Sequence, residues 1–185
     1  MHRIALRLGA TLVAAAAFAF PASALAATAE STGTITAGSL SLTTGAAPTF
    51  SATLNGTNQT PTYTLPMTVE DSTGSGAGWN TTITSTQFTT GGETPRTLAT
   101  TASSMTGVTS ECAEGTCTNP TNAVTYPLTV PAAATPPAAV KFFNAAAETG
   151  LGKFTVTPTV GVSIPANTYA GTYKSTVTLA SVSGP

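Results

Sequence analysis

The chain has 185 residues, of which only 7% are charged and 6% aromatic, and a formal net charge of −1. Six basic residues scattered along it cannot form the basic patch that a nucleic acid demands, so nucleic acid is excluded as a partner. The single histidine, His2, lies in a segment expected to be removed, which takes away the usual general base and the usual metal ligand together.

That segment is MHRIALRLGATLVAAAAFAFPASALA. It places Arg3 and Arg7 ahead of an apolar run from Leu8 to Phe20, then Pro21 and the small-residue sequence Ala24-Leu25-Ala26. This is the pattern of a secretory signal peptide. The run is shorter than the roughly 20 apolar residues of a membrane span. Residues 1–26 are therefore read as a cleaved signal, and 27–185 as one secreted domain with no membrane insertion after cleavage. In that domain four basic residues, Arg96, Lys141, Lys153 and Lys174, face seven acidic ones.

The segments TITAGSLSL (34–42), YTLPMTV (63–69), WNTTITSTQF (79–88) and NAVTYPLTV (122–130) are rich in Thr, Val, Ile, Tyr and Leu and are separated by Gly, Pro, Asn and Ser clusters. Each reads as a strand. Residues 131–150, PAAATPPAAVKFFNAAAETG, read as a crossover loop, or as a short helix around 138–148 delayed by Pro136 and Pro137 and stopped by Gly150. In FTVTPTVGVSI (154–164), Phe154, Val156, Pro158, Val160, Val162 and Ile164 fall on one face and Thr155, Thr157 and Thr159 on the other, the period of a half-buried strand. Pro158 has no N–H to donate, which predicts an edge strand or a bulge there. YKSTVTL repeats the alternation with Tyr173, Val177 and Leu179, and the turn residues Pro165, Asn167 and Gly171 between the two predict a C-terminal hairpin. Seven to nine short strands at this spacing predict an all-β fold, a single antiparallel β-sandwich, immunoglobulin-like or related.

The stretch DSTGSGAGWN (71–80) leads from one predicted strand into the next. Asp71 is read as an Asx-turn former accepting backbone N–H bonds, and Gly76 and Gly78 supply the turn's backbone angles. Trp79 then has two readings. In the first it faces Val69 across a hairpin, and its indole covers one end of the core while its N–H reaches a loop carbonyl. In the second, Trp79, Tyr169 and Tyr173 are surface rings that stack on sugars or on a partner. The pair in ECAEGTC, Cys112 and Cys117, reads as a disulfide closing a tight loop in a secreted chain.

Catalytic and metal constellations fail on spacing. Glu70 and Asp71 are adjacent, so on a strand their carboxylates point to opposite faces. Asp71 and the residues after it lack the acidic spacing and terminal Glu of an EF-hand loop. With no histidine and no G-x-S-x-G elbow, a serine nucleophile has no base. No catalytic residue, metal or cofactor is expected.

The order of ITAGSLSLT, TVEDSTGSGAGWNTTI and VGVSIPANTYAGTYKSTVTLASVSGP resembles the WxL domain of Gram-positive surface proteins, from about Thr34 to Pro185. That family shows an acidic turn followed by G-W, and later P-x-x-x-x-x-G-x-Y with W-x-L in the last strand. Two departures stand out. Trp79-Asn80-Thr81 carries Thr in place of Leu, and Val177-Thr178-Leu179 carries Val in place of Trp. The resemblance implies a secreted, non-catalytic bacterial cell-surface protein, extracellular or cell-wall associated, whose partner is a wall polymer such as peptidoglycan or another surface protein. No sorting motif follows Ser183-Gly184-Pro185 and no cysteine precedes Cys112, so the attachment is expected to be non-covalent. The alternative is a structural subunit of a secreted fibre or biofilm matrix that assembles by strand addition along an exposed edge.

Overall fold

The computed structural model describes residues 27–185, and the expected signal segment lies outside the described residues. Residues 27–35 are exposed and without regular structure. The unit Thr36–Pro185 contains ten strands: β1 (Leu40–Thr44), β2 (Thr62–Thr64), β3 (Met67–Asp71), β4 (Trp79–Thr86), β5 (Ser103–Glu114), β6 (Leu128–Thr129), β7 (Ala132–Ala133), β8 (Val140–Ala145), β9 (Gly152–Val162) and β10 (Val177–Ser183). No helix occurs among the described residues.

One sheet runs β1-β3-β9-β5-β6, with β2 also paired to β9. The second runs β10-β4-β7, with β8 also paired to β4. Every strand pair is antiparallel except the short β4–β7 contact. The two sheets pack into the expected sandwich. The strand count exceeds the expected range because Leu65 and Pro66 split one segment into β2 and β3, and because β6 and β7 are only two residues long.

Alternation along β9 buries Phe154, Val156, Pro158, Val160 and Val162 and leaves Thr155, Thr157 and Thr159 toward solvent. Facing them, Trp79, Phe142 and Ile83 of the second sheet are fully buried. Each such side chain contributes about 1.5–3 kcal/mol relative to exposure. No buried side-chain polar atom among the described residues lacks a hydrogen-bond partner.

Four expectations need correction. The predicted C-terminal hairpin is a crossing between sheets: β9 pairs with β2, β3 and β5, whereas β10 pairs with β4. The same holds for the segments flanking DSTGSGAGWN, so Val69 on β3 and Trp79 on β4 are not cross-strand neighbours. In both cases two consecutive strands present apolar faces to one core, which happens whether they share a sheet or face each other across the sandwich. Residues 131–150 are neither a loop nor a helix, since β7 and β8 lie within them. The β4–β8 register shifts after Thr81, so that Phe143 pairs with Thr81 and Lys141 with Thr82. Phe142 is thus the extra residue of a bulge, and both phenylalanines enter the core. Pairing and burial here override the helix propensity of the alanines.

The fourth correction concerns Pro158, which sits in the middle of the larger sheet. In an antiparallel pair the N–H and C=O of one residue point to the same side. The Pro158 carbonyl accepts from Leu65 N at 3.0 Å, so its missing N–H faces the break between β2 and β3. The proline is tolerated because its neighbour is interrupted there.

Cys112 and Cys117 form the expected disulfide. Just beyond it, Thr118 N donates to Leu151 O at 2.8 Å and Gly150 N donates to Thr118 O at 2.8 Å. The double replacement Cys112→Ser/Cys117→Ser will lower the unfolding free energy by about 2 kcal/mol, the chain-entropy value for so short a loop. Urea titrations of both proteins, with the parent repeated under reductant, measure it.

Burial raises the phenol pKa of Tyr63 and of Tyr126 above the ordinary value; for Tyr126 a weaker opposing effect comes from the Asn122 amide donating to its oxygen. Tyr126 itself donates to Phe142 O at 2.6 Å. Between about pH 10 and the raised folded values, the unfolded chain sheds these phenolic protons first. Stability is therefore complete below about pH 10 and falls as the pH rises further. Thermal melts between about pH 8 and 11 will show the midpoint falling only in the upper part of that range.

Candidate functional site

The turn after β3 is built from its own side chains. Asp71 Oδ1 accepts from Thr73 N at 3.1 Å and from Thr73 Oγ1 at 2.7 Å, an Asx turn. Thr73 Oγ1 lies 2.9 Å from Ser75 Oγ, which accepts from Ala77 N at 3.2 Å. Gly76 and Gly78 follow at φ of 66° and 72°, the left-handed region. The chain therefore enters β4 at a set angle, which drives Trp79 inward.

Trp79 is 0% exposed. Its indole Nε1 donates to Gly150 O at 2.9 Å, and its ring packs against Phe143 and Phe154 with centroids 5.8 and 6.5 Å away. As a candidate for stacking on a wall polymer, Trp79 presents no surface. A large apolar ring with one polar atom is best placed where the ring is enclosed and that atom meets a carbonyl.

The two signature triplets lie on neighbouring strands, with Trp79 paired to Ser183 and Val177 paired to Ser85 near the other end of β4. Thr81, where the family pattern has Leu, is fully buried and its hydroxyl donates to Phe143 O at 3.2 Å. Val177 and Leu179 are partly buried against the core.

Tyr169 and Tyr173 are brought together at the opposite end of β4 from Trp79. Thr89 and Lys174 exchange backbone hydrogen bonds of 3.0 and 2.9 Å, which tie the segment after β4 to the one before β10. Thr168 N donates to Pro165 O at 3.0 Å, Ala166 N to Asn58 Oδ1 at 2.9 Å, and Tyr173 Oη to Tyr169 O at 2.9 Å. A Cβ on Gly171 would stand 3.0 Å from Thr90 Cγ2, so glycine lets the two segments close on each other.

Across this contact Arg96 lies over the Tyr169 ring, its guanidinium carbon 3.9 Å from the centroid. The loop carrying Arg96 is itself closed, since Thr90 N donates to Arg96 O at 2.9 Å and Arg96 N to Thr90 Oγ1 at 3.0 Å. Tyr169 remains 60% exposed. Pro95, Arg96, Leu98, Pro165, Asn167 and Tyr169 are among the residues lining an open groove of about 350 Å³.

Arg96, which lines the same groove, is not among the candidates that the sequence offers. Nothing local in GGETPRTLA marks it, because its partner ring lies far along the chain. Elsewhere on the surface Lys153 and Glu114 form an exposed ion pair at 3.0 Å; their mutual hydrogen bond and charge lower the Glu114 pKa and raise that of Lys153. Among the described residues no group of three or more His, Cys, Asp or Glu converges on a metal position, and no helix is long and apolar enough to cross a membrane.

The family model described as "WxL domain surface cell wall-binding" matches residues 10–181. No curated protein and no solved structure matches the chain. The match covers nearly the whole sequence, and the chain belongs to the WxL family of surface cell wall-binding domains.

Proposed function

We propose that this is a secreted, non-catalytic bacterial cell-surface protein that holds peptidoglycan non-covalently through the groove between residues 95–99 and 165–173. The observation that carries the reading is the solvent-facing Tyr169 ring, held beneath Arg96 at the rim of that groove, in a domain of a cell wall-binding family. A saccharide has faces of C–H bonds and edges of hydroxyls, and an aromatic ring beside polar side chains meets both kinds of surface. The hydrogen bonds within and around residues 165–173 hold the ring before any ligand arrives, which lowers the ordering cost of binding. Tyr173 contributes by fixing the Tyr169 backbone and lining the groove.

Co-sedimentation of residues 27–185 with purified Gram-positive sacculi tests the reading. The parent chain should saturate the sacculi, and Tyr169→Ala should bind at least about tenfold more weakly, equivalent to about 1.4 kcal/mol. Because Tyr169 is exposed, the variant should melt within a few degrees of the parent. A parent chain that fails to sediment, or a variant that sediments equally well, would remove the groove from the mechanism.

A further inference from the structure

We propose that the groove recognises a carboxylate on the wall polymer, and that Arg96 is the residue that reads it. The inference rests on the wall-binding reading and names what the groove selects within the wall.

Arg96 is the only arginine in residues 27–185. Those residues carry an acidic excess, yet among the described residues no acidic side chain lines the groove. Among the described residues the ion pair is Lys153 with Glu114, so the Arg96 guanidinium has no carboxylate partner. Among the described residues none of its side-chain N–H groups meets an acceptor either; the hydrogen bonds of Arg96 there are made by its backbone. A guanidinium has five donors at the edge of its plane. With its central carbon over the Tyr169 ring and no carboxylate or hydrogen-bond acceptor engaged among the described residues, the guanidinium keeps its donors for a ligand, and their fork matches a carboxylate with two parallel bonds. The closed 90–96 loop fixes the Arg96 backbone, and the Tyr169 ring draws the guanidinium over the groove, a modest attraction at an exposed site.

The rest of the lining suits a polar partner with a carboxylate. Asn167 and Thr168 bring an amide and a hydroxyl to the same groove, and Pro95 and Pro165 stiffen its two walls. The volume of about 350 Å³ accommodates one residue or one sugar unit. Two constituents of a wall present such a carboxylate: the C-terminal end of a peptide stem, and the acidic sugar of a uronic-acid glycan. Both share the group that Arg96 would hold.

The experiment compares native sacculi with sacculi whose carboxylates have been converted to neutral amides by carbodiimide and glycinamide, using the parent chain, Arg96→Gln and Arg96→Lys. The parent should bind the neutralised sacculi at least about tenfold more weakly. Arg96→Gln should lose a similar factor on native sacculi and nothing further on neutralised ones. Arg96→Lys keeps the charge without the planar fork, and should recover only part of the loss.

NMR titration with diacetyl-L-Lys-D-Ala-D-Ala, its C-terminal amide, glucuronic acid and glucose then identifies the source. Shifts at Tyr169 and Arg96 with the free peptide acid but not its amide assign a stem. Shifts with glucuronic acid but not glucose assign an acidic glycan. Equal binding of the parent to native and neutralised sacculi would overturn the carboxylate proposal and leave wall binding standing. Failure to bind either, with no response to the small acids, would overturn both.

Discussion

Trp79→Ala will lose about 3–5 kcal/mol of unfolding free energy, the cost of deleting a large aromatic from a core that cannot collapse around the gap. That is a large share of the roughly 5–15 kcal/mol by which domains of this kind are stable. The indole is fully buried between Phe143 and Phe154, and its N–H is the partner of Gly150 O. Removing it therefore opens a cavity and leaves that carbonyl without its donor. Trp79→Phe separates the two effects, since it keeps most of the ring and removes the N–H; it should cost less than the alanine, with about 1–3 kcal/mol due to the lost donor. Circular dichroism in urea measures both, because either change removes the chain's only tryptophan and its fluorescence. A loss below about 1 kcal/mol for the alanine would show that the indole does not close the core. Trp79→Phe also bears on the wall: once folded, it should bind sacculi like the parent, since no part of the indole reaches solvent.

The second large effect is a contrast between two glycines of one turn. Gly76 and Gly78 both have positive φ, so alanine at either pays about 1–2 kcal/mol for the left-handed backbone. At Gly76 the new Cβ would meet the Glu148 carboxylate at 2.6 Å, the far end of a flexible side chain that can swing away. At Gly78 it would run into the carbonyl oxygens of Ala145 and Ala146, which are backbone. Gly78 O also accepts from Gly184 N at 2.9 Å, so the turn cannot retreat without breaking a bond to the chain after β10. Gly78→Ala should therefore be at least about 2 kcal/mol less stable than Gly76→Ala, on the scale of overpacking a rigid site. Equal losses in paired urea titrations would mean that backbone angle alone decides, and that the space beside Gly78 yields.

The strands that were legible were those that kept period two. The apolar residues of 154–164 recur at every second position, and all of them are buried, Phe154 to Val162 on β9 and Ile164 just beyond it. The longest strand, β5, was not legible. Its register with β9 shifts between Met105 and Gly107 and again between Cys112 and Glu114. Met105 faces the core from an odd position and Val108 pairs with inward Pro158 from an even one, so no single alternation runs through the segment. The bulge at Phe142 hid β8 in the same way.

At the candidate site, Tyr169 and Tyr173 could be named as rings that lie within and just after a turn segment containing Pro165, Asn167 and Gly171. Arg96 could not. It meets Tyr169 only because the segments after β4 and before β10 are bridged at Thr89 and Lys174, and that pairing depends on both sheets being in place.

Composition and local pattern by themselves determined the all-β class, the disulfide, the turn chemistry of Asp71 and the faces of the regular strands, because these depend on residues close together in the chain. Which strands share a sheet, that Trp79 is enclosed and that Arg96 covers Tyr169 were decided only by the tertiary structure. Alternation states that a residue faces the core, and one core has two sides; contacts across it, or around its rim, appear only when both sheets have closed upon it.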